Sequence, residues 1–275
     1  MKKPKHAIPL WAWPNILSLD VVLIGVTWQR LIAQTLGLEC TLSASWVLGL
    51  SIWLTYMGDR WLDGIRLKKA YTYRHEVIRS FKWPLFGLWL LILFLDVFIA
   101  IDALPPQSHL LGLGLLMLCI LYTCSIQQGH HSPSLTKEAK VALIFCLGIF
   151  IFITPTSTQG LLPLSIYFGL LSLLFWSNAS LIAHWEKNAD MQHQSTSLAT
   201  AYPTIAAYAH WVALIIAALC LPLISINTAS TPFALACATS GILLFTINTL
   251  NYHRELRRVL ADAALLTPII ILGWL

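Results

Sequence analysis

The chain has 275 residues, 57% of them hydrophobic and only 11% charged, with a mean hydropathy of +0.73 and a formal net charge of +5. Ordinary globular chains carry about 25% charged residues, so a soluble domain is excluded and a polytopic membrane protein is implied. No nucleic-acid or soluble-cofactor motif is present. The six cysteines, Cys40, Cys119, Cys124, Cys146, Cys220 and Cys237, form no CxxC pair and mostly lie in apolar runs, which argues for neither a disulfide framework nor a zinc site.

A membrane-crossing helix needs about 20 mainly apolar residues. Nine such stretches follow one another, at 13–35, 42–58, 84–103, 108–126, 140–156, 161–184, 204–225, 230–249 and 256–274. The first follows "MKKPKH" and runs on to about Leu38 without a small-x-small cleavage site, so it is expected to remain as a span. With the N-terminus inside, the inner segments hold 3, 7, 2, 1 and 3 Lys and Arg, 16 of the 17 in the chain. The outer loops hold none, and Arg30 lies within the first span. This alternation supports nine spans, N-terminus inside. Trp11, Trp13, Trp61, Trp83 and Trp185 fall near the inner interface, as an aromatic belt does.

The second span ends in "DRWLD" and the sixth in "EKNAD". Residues four apart share a helix face, so Asp59 pairs with Asp63 and Glu186 with Asp190. Ionised carboxylates near lipid are costly, on the order of 2–3 kcal/mol each when immersed, so two such pairs on one membrane face call for cations. The acids could be solvated or paired with Arg60, Arg66, Lys68 and Lys69 of the following loop. Alternatively they bind Mg²⁺, which favours carboxylates together with substrate phosphate, so that two ions would hold a diphosphate between the pairs.

These two motifs, at the ends of spans two and six of a nine-span chain, resemble the aspartate-rich motifs of the UbiA superfamily of intramembrane prenyltransferases. The resemblance implies an all-α bundle of nine transmembrane helices around a central cavity, as one polytopic domain over 1–275. It also implies Mg²⁺-dependent transfer of a prenyl group from a prenyl diphosphate to a small, lipophilic, typically aromatic acceptor. Asp59 and Asp63 match the acids of the family's first motif, NxxxDxxxD; Glu186 and Asp190 match those of the second, DxxxD. Thr55 stands where the family has Asn, and Glu186 stands for Asp. The family often has a Tyr and a following Lys near the end of span four; Tyr122 is present, but position 126 is Ile, and the nearest lysines are Lys137 and Lys140. Thr55, Tyr122, Lys137, Arg74 and Arg79, with Lys82, are therefore candidates to touch the diphosphate; Arg74, Arg79 and Lys82 could equally be interfacial anchors.

Asp20 and Asn178 are candidate substrate contacts within spans; a structural hydrogen bond is the alternative for each. His184 could act as a base or be structural. Asp96, Asp102 and Asp262 are read as helix-end or interhelical groups, and no metal role is assigned to His130 and His131. Three functions stay open: prenyl transfer, the same ionisation ending in cyclisation or in transfer to a non-aromatic acceptor, and a non-enzymatic transporter or scaffold. A transporter would place charges near the bilayer midplane; here they cluster at one interface. The expected setting is the inner membrane of a bacterium, with membrane lipid and the two substrates as partners and no nucleic acid.

Overall fold

A computed structural model describes residues 8–66, 73–127, 136–153, 161–193, 196–226 and 228–274. Among these, the regular structure is helical: α1 Trp13–Ile16, α2 Leu19–Thr35, α3 Leu42–Arg66, α4 Tyr73–Ser80, α5 Lys82–Ala103, α6 Pro106–Gln127, α7 Lys137–Ile151, α8 Leu161–His193, α9 Leu198–Ala201, α10 Pro203–Ile226, α11 Thr231–Thr249, α12 Arg254–Ala264 and α13 Thr267–Leu272. Among the described residues, each of the nine apolar stretches falls on a helix or a broken helix pair.

Five helices among the described residues are long and apolar enough to cross a membrane: Lys82–Ala103, Pro106–Ser125, Leu164–Gln192, Pro203–Ile224 and Thr228–Thr249. A sixth candidate is the bent pair Leu10–Ile16 and Leu19–Thr35, which turns by 67°. The nine expected spans exceed this number for local reasons. Helix α7 has only 15 residues. The last span breaks in a turn at Leu265–Leu266, ahead of Pro268. Helix α3 carries Ser43, Ser45, Ser51 and Thr55 and ends on Asp59, Arg60, Asp63 and Arg66, which dilute its apolar character.

The bend in the first span is made at Ser18, whose φ of 57° lies in the left-handed region. An L-residue rarely adopts that region, so neighbouring contacts must hold it there. Ser18 is fully buried, and its hydroxyl lies 3.5 Å from Sδ of Met57 on α3. The bend places α1 against the end of α3 that carries Asp59 and Asp63, where Arg60 donates to the backbone carbonyls of Asn15 and Ile16.

Helices α8 and α11 form the centre, with 56% of their apolar stretches buried, against 6% for α5 and α6. Helices α5 and α6 therefore present most of their apolar surface outward, as lipid-facing helices do, with one face of α5 packed on α3. The main core gathers Trp28, Ile149, Leu171, Phe233 and Leu244 with Cys146, Cys220 and Cys237, whose thiols pack as small apolar groups. Trp28 is fully buried and donates its indole N–H to the carbonyl of Leu265 at 2.9 Å, tying α2 to the turn before α13. Helices α10 and α11 cross closely at Gly241: a Cβ there would sit 2.3 Å from the carbonyl oxygen of Ala213.

Candidate active site

Asp59 and Asp63 lie on the last turns of α3 and are partly exposed. Tyr56, three residues before Asp59, starts a run of edge-to-face rings into the core. Its ring centroid lies 6.2 Å from Phe145, which is 5.0 Å from Phe175; Phe175 is 6.3 Å from Trp28, and Trp28 is 5.8 Å from Phe233. The apolar aromatic core thus begins one helical turn from the first acid pair.

The second pair is on α8. Both carboxylate oxygens of Glu186 accept from Nη2 of Arg74 on α4, at 3.2 and 3.4 Å, and Oε1 also accepts from Nη1 of Arg258 on α12 at 2.7 Å. Arg258 spends its other donors on Glu255, at 2.7 Å, and on Oδ1 of Asn15, at 3.0 Å. The side-chain amide of Asn15 donates to Asp20 and to Asp262, each at 2.7 Å. The amide of Asn178 donates to the other oxygen of Asp262 at 3.1 Å. Arg60 closes the network from α3, donating to the backbone carbonyls of Asn15 and Ile16. Asn15, Asp20, Arg60, Asn178, Glu255, Arg258 and Asp262 are all buried. Burying a charge is costly unless it is compensated. Here Glu186, Glu255 and Arg258 are ion-paired, while Asp20, Arg60 and Asp262 are hydrogen-bonded to neutral groups, with side chains from six helices taking part.

The two acid pairs are linked around their rims. Arg74 is ion-paired to Glu186 and lies within electrostatic reach of Asp63. Burial works to lower the pKa of Arg74, but Glu186, Glu255, Asp262 and Asp63 outweigh it and hold the guanidinium above its ordinary value. On the other side, Tyr122 of α6 lies within reach of Asp59, Asp63 and Glu138. Glu138, in the first turn of α7, is in turn within reach of Asp190. Both oxygens of Glu138 accept the backbone N–H of Leu198 at 3.0 Å, which anchors the segment that follows α8. Burial raises the pKa of this carboxyl against the opposing pull of the backbone N–H groups and Lys137.

The candidates named from sequence fall into three groups. Arg74, Asp20, Asn178 and Glu186 join the buried network, and Tyr122 sits beside the first acid pair. Asn178 makes an interhelical hydrogen bond to Asp262, its structural alternative, and Asp20 is likewise a hydrogen-bond acceptor. Thr55 is exposed and returns its hydroxyl to the carbonyl of Ser51 in its own helix at 2.8 Å. The side chains of Arg79 and Lys137 are exposed, and Lys82 lies over the ring of Trp83 at 5.6 Å. Asp96 accepts from Ser51 at 2.8 Å between α5 and α3, in keeping with an interhelical role. Lys68, Lys69, His130 and His131 lie outside the described residues.

Sequence reasoning missed Arg258, Glu255, Asn15 and Glu138; Asp262, read as a helix-end or interhelical group, takes the interhelical role, accepting from Asn178 and Asn15. A signal for two of these was present: Glu255 and Arg258 recur with Asp262 at helical spacing at the start of the last expected span, and charges there mark functional sites by default. Asn15, in "WPNI", and Glu138, beside two lysines, carried no such mark.

Among the described residues, no three His, Cys, Asp or Glu side chains come together as a metal cluster. The oxygens of Glu186 are already shared by two guanidinium groups. The set whose chemistry fits a hard divalent cation is the pair Asp59 and Asp63. Mg²⁺ is bound through one or two carboxylates, with water and substrate phosphates taking the remaining positions.

No family model matches the sequence, and no curated protein matches it. A search of solved structures finds similarity to the apo structure of a UbiA homolog from Aeropyrum pernix. The TM-score is 0.58 at 15% identity, over 98% of this chain and 100% of that one. Over 98% of its length the chain therefore has the fold of that UbiA homolog.

Proposed function

We propose that the protein is a divergent member of the UbiA superfamily that spans the membrane nine times with its N-terminus inside. In this reading it transfers a prenyl group from a prenyl diphosphate to a small, lipophilic, aromatic acceptor with Mg²⁺. The observation that carries the reading is a fold likeness over the whole chain, combined with two acid pairs at equivalent helix ends joined by Arg74. Asp59 and Asp63, with Asp190, are the residues assigned to hold Mg²⁺. The expectation that Glu186 is a ligand meets a carboxylate engaged by Arg74 and Arg258, so its part in metal binding requires those arginines to let go.

Bound there, Mg²⁺ would take up negative charge as the allylic C–O bond breaks. Arg74 is placed to add a fixed positive charge to the leaving diphosphate, the kind of preorganised group that stabilises developing charge. The buried network behind it fixes where that charge sits. Tyr56, Phe145 and Phe175 offer ring faces and edges to the prenyl chain, and aromatic faces attract a developing cation. Their apolar packing also keeps water from capturing it.

The test is turnover by the purified protein with Mg²⁺ and labelled prenyl diphosphates from geranyl upwards. Release of diphosphate that depends on an aromatic acid or quinone precursor supports the proposal. Release without any acceptor makes the protein a cyclase. No ionisation of any prenyl diphosphate, with or without candidate acceptors, refutes the enzymatic reading.

A further inference from the structure

Glu186 sits between two guanidinium groups contributed by α4 and α12. Its carboxylate is bound as a substrate anion would be: both oxygens on Arg74, one also on Arg258, with 13% of the Glu186 side chain exposed. Three guanidinium groups, Arg60, Arg74 and Arg258, come from α3, α4 and α12 and lie within electrostatic reach of one another. Such mutual repulsion is tolerated only with anions between them. Glu255 neutralises Arg258 on its other side, and Arg60 faces backbone carbonyls with Asp20 and Asp262 in electrostatic reach; of these anions Glu186 is the one in direct contact with both Arg74 and Arg258. That leaves the face of Arg74 and Arg258 where Glu186 now sits as the place for an outside anion.

We infer that Glu186 is an internal stand-in for the diphosphate: it holds Arg74 and Arg258 until the substrate's phosphates displace it. The inference rests on the proposed diphosphate substrate. Arginine binds phosphate and carboxylate with the same planar fork, so the exchange needs no new donor geometry. Once displaced, Glu186 swings free on the helix face it shares with Asp190, one turn on, and a second carboxylate pair forms only when substrate is present. Glutamate suits this task, because its longer side chain reaches two arginines contributed by different helices.

The experiment measures binding of inorganic pyrophosphate, without metal, to the purified protein in detergent by calorimetry. Glu186→Gln removes the competing charge and keeps the shape. It is expected to bind pyrophosphate roughly tenfold more tightly than the parent, within the usual range of coupling between two ligands, whereas Arg74→Gln weakens binding by a similar factor. Glu186→Asp, one methylene shorter, gives the same direction as Glu186→Gln with a smaller change, and serves if Glu186→Gln does not fold. Unchanged or weaker pyrophosphate binding in the folded Glu186 variants overturns the inference. The two readings fail separately. Prenyl turnover without tighter pyrophosphate binding sinks only the stand-in. Tighter binding without prenyl turnover sinks only the proposed reaction.

Discussion

Arg258 joins two carboxylates and an amide in the buried network, and replacing it shows how much the network contributes. In Arg258→Met the stem length is kept, but three bonds go: to Glu186 and Glu255 at 2.7 Å and to Asn15 at 3.0 Å. Removing one partner of a buried pair leaves an uncompensated charge and costs about 3–5 kcal/mol. Glu186 retains Arg74 at 3.2 Å, which softens the loss. Glu255 retains the ion pair with Arg254 at 3.7 Å, a side chain already 35% exposed and therefore of little help, and the more distant charge of Arg74. The net expectation is about 3 kcal/mol, or a drop in melting temperature of roughly 6–12 °C for a chain of this size. Heating the detergent-solubilised protein and following the monodisperse fraction by size-exclusion chromatography measures it. Adding Glu255→Gln to Arg258→Met should return part of the loss, because one of the stranded charges is gone. A variant that melts within about 2 °C of the parent would refute the view that Arg258 holds these carboxylates, since a loss of about 3 kcal/mol could not stay hidden on that scale.

Asp63→Asn and Asp190→Asn should each leave folding intact and lower prenyl turnover by roughly a hundredfold or more, the scale seen when a charge-stabilising group is taken from an active site; turnover near the parent rate in either variant would remove that residue from the metal site. Gly241→Ala should destabilise by about 1–3 kcal/mol through overpacking, because its Cβ would lie 2.3 Å from the carbonyl oxygen of Ala213 and backbone would have to move; an unchanged melting temperature would mean that α10 and α11 do not cross so closely. The raised pKa of Glu138 means that its ionisation opposes folding. Its favourable contribution is present below the unfolded-state value of 4.5 and is lost as pH rises through the folded-state value. Glu138→Gln keeps an acceptor for Leu198 without that loss, so its stability relative to the parent should grow from pH 4 to pH 8, and a difference independent of pH would contradict the assignment.

Much of this protein follows from sequence because lipid leaves so few options. A backbone without water must satisfy its own hydrogen bonds, so apolar runs of this length become helices. The runs therefore locate the helices, and four-residue spacing puts Asp59 with Asp63 and Glu186 with Asp190 on common faces whatever the packing. Which groups meet across helices is a different matter. Arg74, Arg258 and Asn15 lie far apart in the chain, and nothing local to any of them says that the first two converge on Glu186 or that the third bridges Asp20 and Asp262. That convergence depends on the bend at Ser18, the break before Pro268 and the close crossing of α10 and α11 at Gly241, which set how the helices pack. Spacing along a helix could nominate Glu186 as a metal ligand; only the packing of α4 and α12 against α8 hands its oxygens to two arginines instead.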